Sequence, residues 1–444
     1  MLAASQPERY PLLLDSAAAG PLSHSSVLLA EPRAALWVDA AGRLGAEGVT
    51  PRGSDFLSAL EHWWRSERHD PPTSSDEPPF AGGWAVFLAY ELAQEIEPKL
   101  RLPRTPLPWR AFALRTPCAL VHELASGRVY AVAELGAEGA LARLAADAHA
   151  ASRGRSTPEP LAFAAVSEEE PQKFLARVRR AQEYVRAGDI YQANLSRPWR
   201  VQLAGGGGGA GHPGVEELYQ RLCAANPAPF AALAQWRGTA ILSSSPERLV
   251  RVREREVDTR PIAGTRPRSR EPGRDRGEMS ALAAHPKERA EHIMLIDLER
   301  NDLGRVCEAG TVKVDELMTI ESYQHVHHIV SNVSGRLRED VTPIGALRAV
   351  FPGGTITGCP KFRCMQIIAE HEQTARGAYT GSLGYLTRTG ELALTILIRT
   401  MTLSGRELTF RAGAGIVADS DPQRELEETR AKARGLLAAL GAVQ

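Results

Sequence analysis

Two acidic pairs stand at helical spacing. In Pro286-Lys287-Glu288-Arg289-Ala290-Glu291-His292, Glu288 and Glu291 lie three apart, so both carboxylates project from one helix face. Glu425 and Glu428 repeat that spacing near the C-terminus. If the two faces meet across a cleft, they offer hard oxygen ligands suited to Mg²⁺, with waters completing an octahedron. Two solvated helix faces carrying surface ion pairs would show the same pattern. His325, His327 and His328 form another cluster. In a strand the first two share a face and His328 points the other way, which argues against one three-histidine metal site. A neutral imidazole acting as general acid and a satisfied core histidine both remain open for this cluster.

Glycine and threonine mark two further segments. Phe351-Pro352-Gly353-Gly354-Thr355-Ile356-Thr357-Gly358-Cys359-Pro360-Lys361 leads into an apolar helix. Its backbone N–H groups, with the Thr355 and Thr357 hydroxyls, could bind a carboxylate at the helix N-terminus. Phe410-Arg411-Ala412-Gly413-Ala414-Gly415-Ile416 lets backbone approach a ligand closely, although a strand bulge would need the same glycines.

The elements that must position these groups are legible as patterns. Short strand-like runs at 35–38, 84–90 and 118–122 are separated by Pro-rich turns, and 150–160 has linker composition. Ser167 with Glu170 predicts a capping box, and Phe174, Leu175, Val178, Ala181 and Val185 follow at helical spacing to Gly188. Strands are expected at 190–195, 240–242, 392–401 and 408–417, and a last helix at 422–440. The Gly205–Gly209 run lacks the Lys-Ser/Thr of a phosphate loop and is expected to be a flexible connector. The chain divides into an N-terminal region, 1–150, and a main domain, 165–442.

Composition excludes several classes. Lys+Arg and Asp+Glu both number 53, so the net charge is zero and bulk attraction to nucleic acid or anionic membrane is not expected. The 444 residues are 43% hydrophobic and 24% charged, as in ordinary globular proteins. Five cysteines (118, 223, 307, 359, 364) lack CxxC or zinc spacing and are expected as reduced thiols. The N-terminus lacks a signal-peptide pattern and no window approaches 18 uncharged apolar residues, so a cytoplasmic enzyme is expected.

Taken together, the motifs resemble one family. Arg260-Pro261-Ile262-Ala263-Gly264-Thr265-Arg266-Pro267-Arg268, the run from Ala290-Glu291-His292 to Asn301-Asp302-Leu303-Gly304-Arg305, the Gly353–Lys361 segment, Ile398-Arg399-Thr400 and Ala412–Ser420 occur in the order and wording of the chorismate-utilising enzymes. That resemblance implies an α+β fold of two large antiparallel sheets, with helices outside and the active site in the cleft. It implies Mg²⁺ held chiefly by Glu291 and Glu428, with Glu288 and Glu425 beside it, binding the ring carboxylate of chorismate. It makes His328 the catalytic histidine, and Glu247 matches a general acid/base of the aminodeoxychorismate branch. It assigns Arg399 and Tyr379 to the enolpyruvyl carboxylate, a task that suits a planar guanidinium. Gly264, Thr265, Gly413, Ala414 and Gly415 match substrate contacts, and Lys432 a further carboxylate partner.

The branch of the family follows from departures. Water-using members carry a lysine base where Gln192 stands, and a glutamine cannot deprotonate water. This favours ammonia as nucleophile. The chain has no Gly-x-Cys-x-Gly elbow, so ammonia is expected from a separate glutamine amidotransferase subunit or from free ammonium. Ala263 stands where many aminodeoxychorismate synthases have a nucleophilic lysine, as anthranilate synthases also have alanine. Against that, Asn226-Pro227-Ala228-Pro229-Phe230-Ala231, Tyr379-Thr380-Gly381-Ser382-Leu383-Gly384-Tyr385 and the short length resemble the aminodeoxychorismate branch. The expectation is therefore 4-amino-4-deoxychorismate, for 4-aminobenzoate and folate, with anthranilate as the alternative. Leu13-Leu14-Asp15-Ser16 resembles the segment lining the family's tryptophan pocket, to which Pro229 and Phe230 would contribute. Phe230 replaces a tyrosine there, so tryptophan would be a structural rather than an inhibitory ligand.

Overall fold

A computed structural model describes every residue except 19, 21, 71–77, 154–162, 204–213, 270, 324–325 and 443–444. The Gly205–Gly209 run, most of the linker and His325 lie outside the described residues. Two eleven-stranded sheets form the frame. The first runs Gly358–Cys359, Gln192–Leu203, Glu407–Ile416, Thr400–Ser404, Thr239–Ser245, Phe230–Trp236, Leu12–Asp15, Ser25–Ala30, Cys118–Glu123, Arg128–Ala133, with Phe163–Glu168 beside Gln192–Leu203. The second runs Ile262–Pro267, Val326–Arg336, Glu256–Arg260, Arg248–Arg253, Leu392–Ile396, Ser382–Thr387, Gly83–Leu88, Trp109–Thr116, Ala34–Asp39, Leu44–Glu47, with Lys313–Ser322 beside Val326–Arg336. Both sheets take strands from either side of the 150–165 linker, so residues 1–150 and 165–442 co-fold into shared sheets.

Covering on both faces explains why the central strands read as unbroken apolar or small runs: every residue of Thr239–Ser245 and of Gly83–Leu88 is buried. Between the sheets, Leu29, Phe87, Trp109, Phe112, Ile241, Leu383 and Leu397 share one apolar cluster. Helices close the outer faces. Pro171–Arg186 buries Phe174, Leu175, Val178 and Ala181 against Leu195, Ala414 and Ile416. Val215–Ala225 and Pro422–Ala439 cover the next stretch of the first sheet through Leu218, Leu222, Ala433 and Leu436. Phe56–Glu67 and Pro343–Val350 cover the second.

Three expectations are corrected. The strand Phe163–Glu168 runs through Ser167, which pairs with Arg200, so no capping box forms and Glu170 is the N-cap without a side-chain bond. Edge pairing of the strand supersedes the local cap. The strand from 190 is longer than expected, Gln192–Leu203. The expected single strand over 392–401 is two, Leu392–Ile396 in the second sheet and Thr400–Ser404 in the first. Among the described residues no helix is long and apolar enough to cross a membrane, and all five cysteines are free.

Candidate active site

The chain passes between the sheets twice at one place. Thr239–Ser245 belongs to the first sheet and Arg248–Arg253 to the second, so Pro246 and Glu247 make the crossing. Residues 397–399 make the return crossing. Backbone bonds tie the two together: Ile396 N–H donates to the Glu247 carbonyl at 3.0 Å, and Ser244 N–H to the Arg399 carbonyl at 3.1 Å. Arg399 sits at φ 51°, the left-handed region that side chains rarely occupy, and such conformations persist only where surroundings enforce them.

A cavity of about 630 Å³ opens at this crossing. Its wall includes Glu247, Ala263, Gly264, His328, Thr355, Tyr379, Arg399, Gly413, Gly415 and Lys432. All four glutamates at helical spacing, Glu288, Glu291, Glu425 and Glu428, line the same space. Helix Pro286–Gly304 presents Glu288, Glu291 and Leu295, and helix Pro422–Ala439 presents Glu425, Glu428 and Lys432, each at i, i+3, i+7. His292 Nε2, bonded at 2.6 Å to Ser331 Oγ, pins the first helix to the second sheet. The Asp421 carboxylate caps the other helix at the Arg424 N–H.

Electrostatics in the cavity are set by burial. Desolvation pushes the Glu247 carboxyl up to about 7, against the opposing pull of the nearby Thr355 hydroxyl and the Lys432 and Arg399 charges. Its Oε1 is buried with no hydrogen-bond partner among the described residues. A carboxyl so poised can give or take a proton near neutrality. His328 is held down to about 3, first by burial and then by the Arg399 charge, so its imidazole is neutral. Burial also lowers the Arg399 guanidinium from its ordinary value, with Glu247 opposing. The Tyr379 hydroxyl is pushed up to about 12 by burial and stays protonated.

The glycines are explained by contact. At Gly413 a Cβ would stand 2.7 Å from both Tyr379 Oη and Asn194 Oδ1. At Gly264, φ 66°, it would stand 2.5 Å from Glu288 Oε2. Ala414 behaves differently, packing its methyl into the core with Phe174 and Leu195 on the helix side. Thr357 is fully buried and spends its hydroxyl on the Gly353 carbonyl at 2.9 Å, holding the turn. Thr265 pairs with His328 across the second sheet. Ser16, Pro229 and Phe230 lie apart from this wall: Ser16 Oγ donates to the Ser25 carbonyl at 3.0 Å, Pro229 is buried, and the Arg248 guanidinium lies 5.5 Å over the Phe230 ring.

Other residues of the site carry no local signal. Glu372 is 3% exposed and bonds Arg376 and Arg411 at 2.7 Å each, with Ser196 N–H at 2.8 Å. Those cations outweigh desolvation and hold its carboxyl at about 2. Arg376 donates onward to the Asn194 and Ile356 carbonyls at 2.7 and 3.0 Å, and both residues line the cavity. Glu299 lies below Gly354, where a Cβ would be 3.3 Å from Oε1, and burial with the Asp302 charge pushes it to about 8.

A divalent cation fits the donor set in kind: four carboxylates from two helices face one space, and Glu288 Oε2 is buried without a hydrogen-bond partner. They are not gathered in a coordinating cluster among the described residues. Glu288 instead pairs with Arg266 at 2.6 Å, and Glu428 with Lys432 at 2.7 Å.

The chain is similar to known proteins over nearly its whole length. A family model described as chorismate binding enzyme matches residues 24–438. The anthranilate synthase component 1 of Streptomyces coelicolor is 41% identical over 422 residues, 88% of this chain and 78% of that protein. An anthranilate synthase component I-like protein of Synechocystis is 40% identical over 88% of this chain and 80% of its own. The crystal structure of anthranilate synthase component I from Streptococcus pneumoniae superposes with a TM-score of 0.80 at 29% identity, covering 93% of this chain and 92% of that one. The menaquinone-specific isochorismate synthase of Escherichia coli shares the fold, with a TM-score of 0.71 at 19% identity over 98% of this chain and 90% of its own.

Proposed function

The chain belongs to the chorismate binding enzyme family, and from that premise we propose that it aminates chorismate as the ammonia-using component of an anthranilate synthase. The observation that carries the reading is Ala263. It lines the cavity with a methyl group and offers no amine for attack on the ring. Ammonia must then attack directly, supplied by a glutamine amidotransferase partner. The names of the similar proteins speak for the same branch.

In this reading ammonia forms a bond to carbon 2 while the 4-hydroxyl leaves as water. The carbon-2 proton is then removed as the ether bond at carbon 3 breaks, and the departing enolpyruvate takes up one proton to become pyruvate, leaving the aromatic product. Glu247, half protonated near pH 7, supplies the proton that the departing hydroxyl needs. Arg399 and the Tyr379 hydroxyl grip the enolpyruvyl carboxylate, since a buried guanidinium offers a charged, planar pair of donors. Neutral His328 spends its one N–H on the Gly264 carbonyl, so its buried Nε2 is left as an uncharged acceptor for a substrate proton. Glu291 and Glu428, with Glu288 and Glu425, would hold Mg²⁺, which neutralises the ring carboxylate and the charge developing at the leaving oxygen.

A second reading, formation of 4-amino-4-deoxychorismate, rests on Phe230. Its ring lies under Arg248 rather than offering a tyrosine hydroxyl to a tryptophan site. Incubation with chorismate, ammonium and Mg²⁺, followed by mass spectrometry, separates the two. Anthranilate with pyruvate is expected; an aminated product retaining its pyruvyl group would establish the second reading instead.

A further inference from the structure

At least two of the four cavity carboxylates hold a cation that the chain itself supplies. Arg266 Nη2 lies 2.6 Å from Glu288 Oε1, and Lys432 Nζ lies 2.7 Å from Glu428 Oε1. One such pair serves each acidic helix. Lys432 also donates to the Gly413 carbonyl at 3.0 Å, on the strand whose glycines face the substrate space. The ammonium therefore stands between a carboxylate at the metal position and the substrate wall. An ammonium and a small dication cannot both sit close to one carboxylate oxygen, because each repels the other. Mg²⁺ also demands short, near-octahedral oxygen contacts, which an occupied oxygen cannot give.

We propose that Arg266 and Lys432 are built-in counter-ions of the metal-binding carboxylates, and that an entering divalent cation displaces them and turns Lys432 toward a substrate carboxylate. The proposal rests on the metal reading above. The counter-ions offset the mutual repulsion of four glutamates before the metal arrives. Lys432 keeps its bond to the Gly413 carbonyl as a pivot, and its flexible four-carbon stem lets the ammonium swing. Because one side chain is exchanged between the two ligands' sites, metal and chorismate must each strengthen the other's binding.

The test is calorimetric titration of the full chain with Mg²⁺ alone, then with chorismate present. Lys432→Met and Arg266→Met are each expected to tighten Mg²⁺ binding at least about fivefold without chorismate. In Lys432→Met, chorismate should strengthen Mg²⁺ binding by a smaller factor than in wild type, because only the direct contact between metal and ring carboxylate remains. Lys432→Arg, which keeps the cation, should stay near the wild-type value. Arg430→Met provides the control for net charge, since Arg430 lies on the same helix but pairs with Glu168. Equal tightening in Arg430→Met, or unchanged affinity in both Lys432→Met and Arg266→Met, overturns the counter-ion proposal. Absence of Mg²⁺ binding to the wild-type chain would instead overturn the metal reading itself. Circular dichroism on each variant separates misfolding from either result.

Discussion

The Tyr379 hydroxyl stands 2.7 Å from the point where a side chain on Gly413 would begin. The glycine is thus the space that lets the phenol reach the cavity wall. Gly413→Ala also meets Asn194 Oδ1 and the Leu195 carbonyl within 2.8 Å, so the phenol or the strand must shift. The expected outcome is a loss of at least about tenfold in kcat/KM for chorismate. Wild-type kinetics would show that neither group touches substrate.

Glu247 should leave two signatures in pH. If its proton goes to the leaving hydroxyl, kcat/KM falls as pH rises through about 7. Glu247→Gln should abolish turnover. Its carboxyl is raised above the unfolded value near 4.5, so the fold favours the protonated form. That preference contributes fully below the unfolded value and is lost as pH rises through about 7, on the order of 3 kcal/mol in all. Glu247→Gln should therefore gain stability relative to wild type at pH 8 compared with pH 5, measured by urea unfolding. An unchanged difference between those pH values would remove Glu247 from the buried-acid role.

Arg399→Lys tests the clamp. Lysine keeps the positive charge but cannot make the bidentate contact, and it must adopt the same left-handed backbone. A loss of more than about tenfold in kcat/KM, roughly 1.4 kcal/mol, is expected. A smaller change would move the carboxylate grip to another residue.

Glu372→Gln should act on the fold. It leaves Arg376 and Arg411 buried without their shared anion, a change that destabilises by about 3–5 kcal/mol. The Glu372 carboxyl is depressed to about 2, so its stabilisation is present above the unfolded value and is lost as pH falls from there through about 2. Thermal melts from pH 7 down to 3 should show wild type converging on the variant. Parallel curves would mean that the carboxylate's charge contributes nothing.

Ala263→Lys returns an amine to the cavity wall. If ammonia attacks directly in the natural chain, the variant should shift product toward the amino-deoxy compound that keeps its pyruvyl group, read by mass spectrometry. An unaltered product ratio with retained activity would show that residue 263 does not choose the branch.

The glutamate pairs and the paired glycines were legible because each depends only on a local repeat: helix phase for Glu288/Glu291 and Glu425/Glu428, strand phase for Gly413/Gly415. Both sheets were also legible, through the family wording. What escaped was whatever depends on distant partners. Glu372 acquires its meaning from Ser196, 176 residues away, and from Arg411, 39 residues away. The Ser167–Glu170 cap failed because Ser167 found a strand partner in Arg200. The run 392–401 is apolar or threonine at every position but Arg399, so nothing in its composition marks the change of sheet. Ala414 was grouped with its glycine neighbours, but strand alternation turns its methyl into the core.

The double crossing at Glu247 and Arg399 has a mechanical meaning. A proton donor and an anion grip mounted on one ribbon, each hydrogen-bonded to the other's strand, keep their spacing even if the two sheets rock against each other. The helices bearing the glutamates are anchored separately, one to the second sheet through His292 and Ser331 and one to the first through Lys432 and the Gly413 carbonyl. Any rocking of the sheets would therefore shift the two glutamate pairs relative to each other while the floor keeps its spacing. Distant substitutions that loosen the helices should alter how tightly ligands are enclosed, while leaving the distance between donor and grip unchanged.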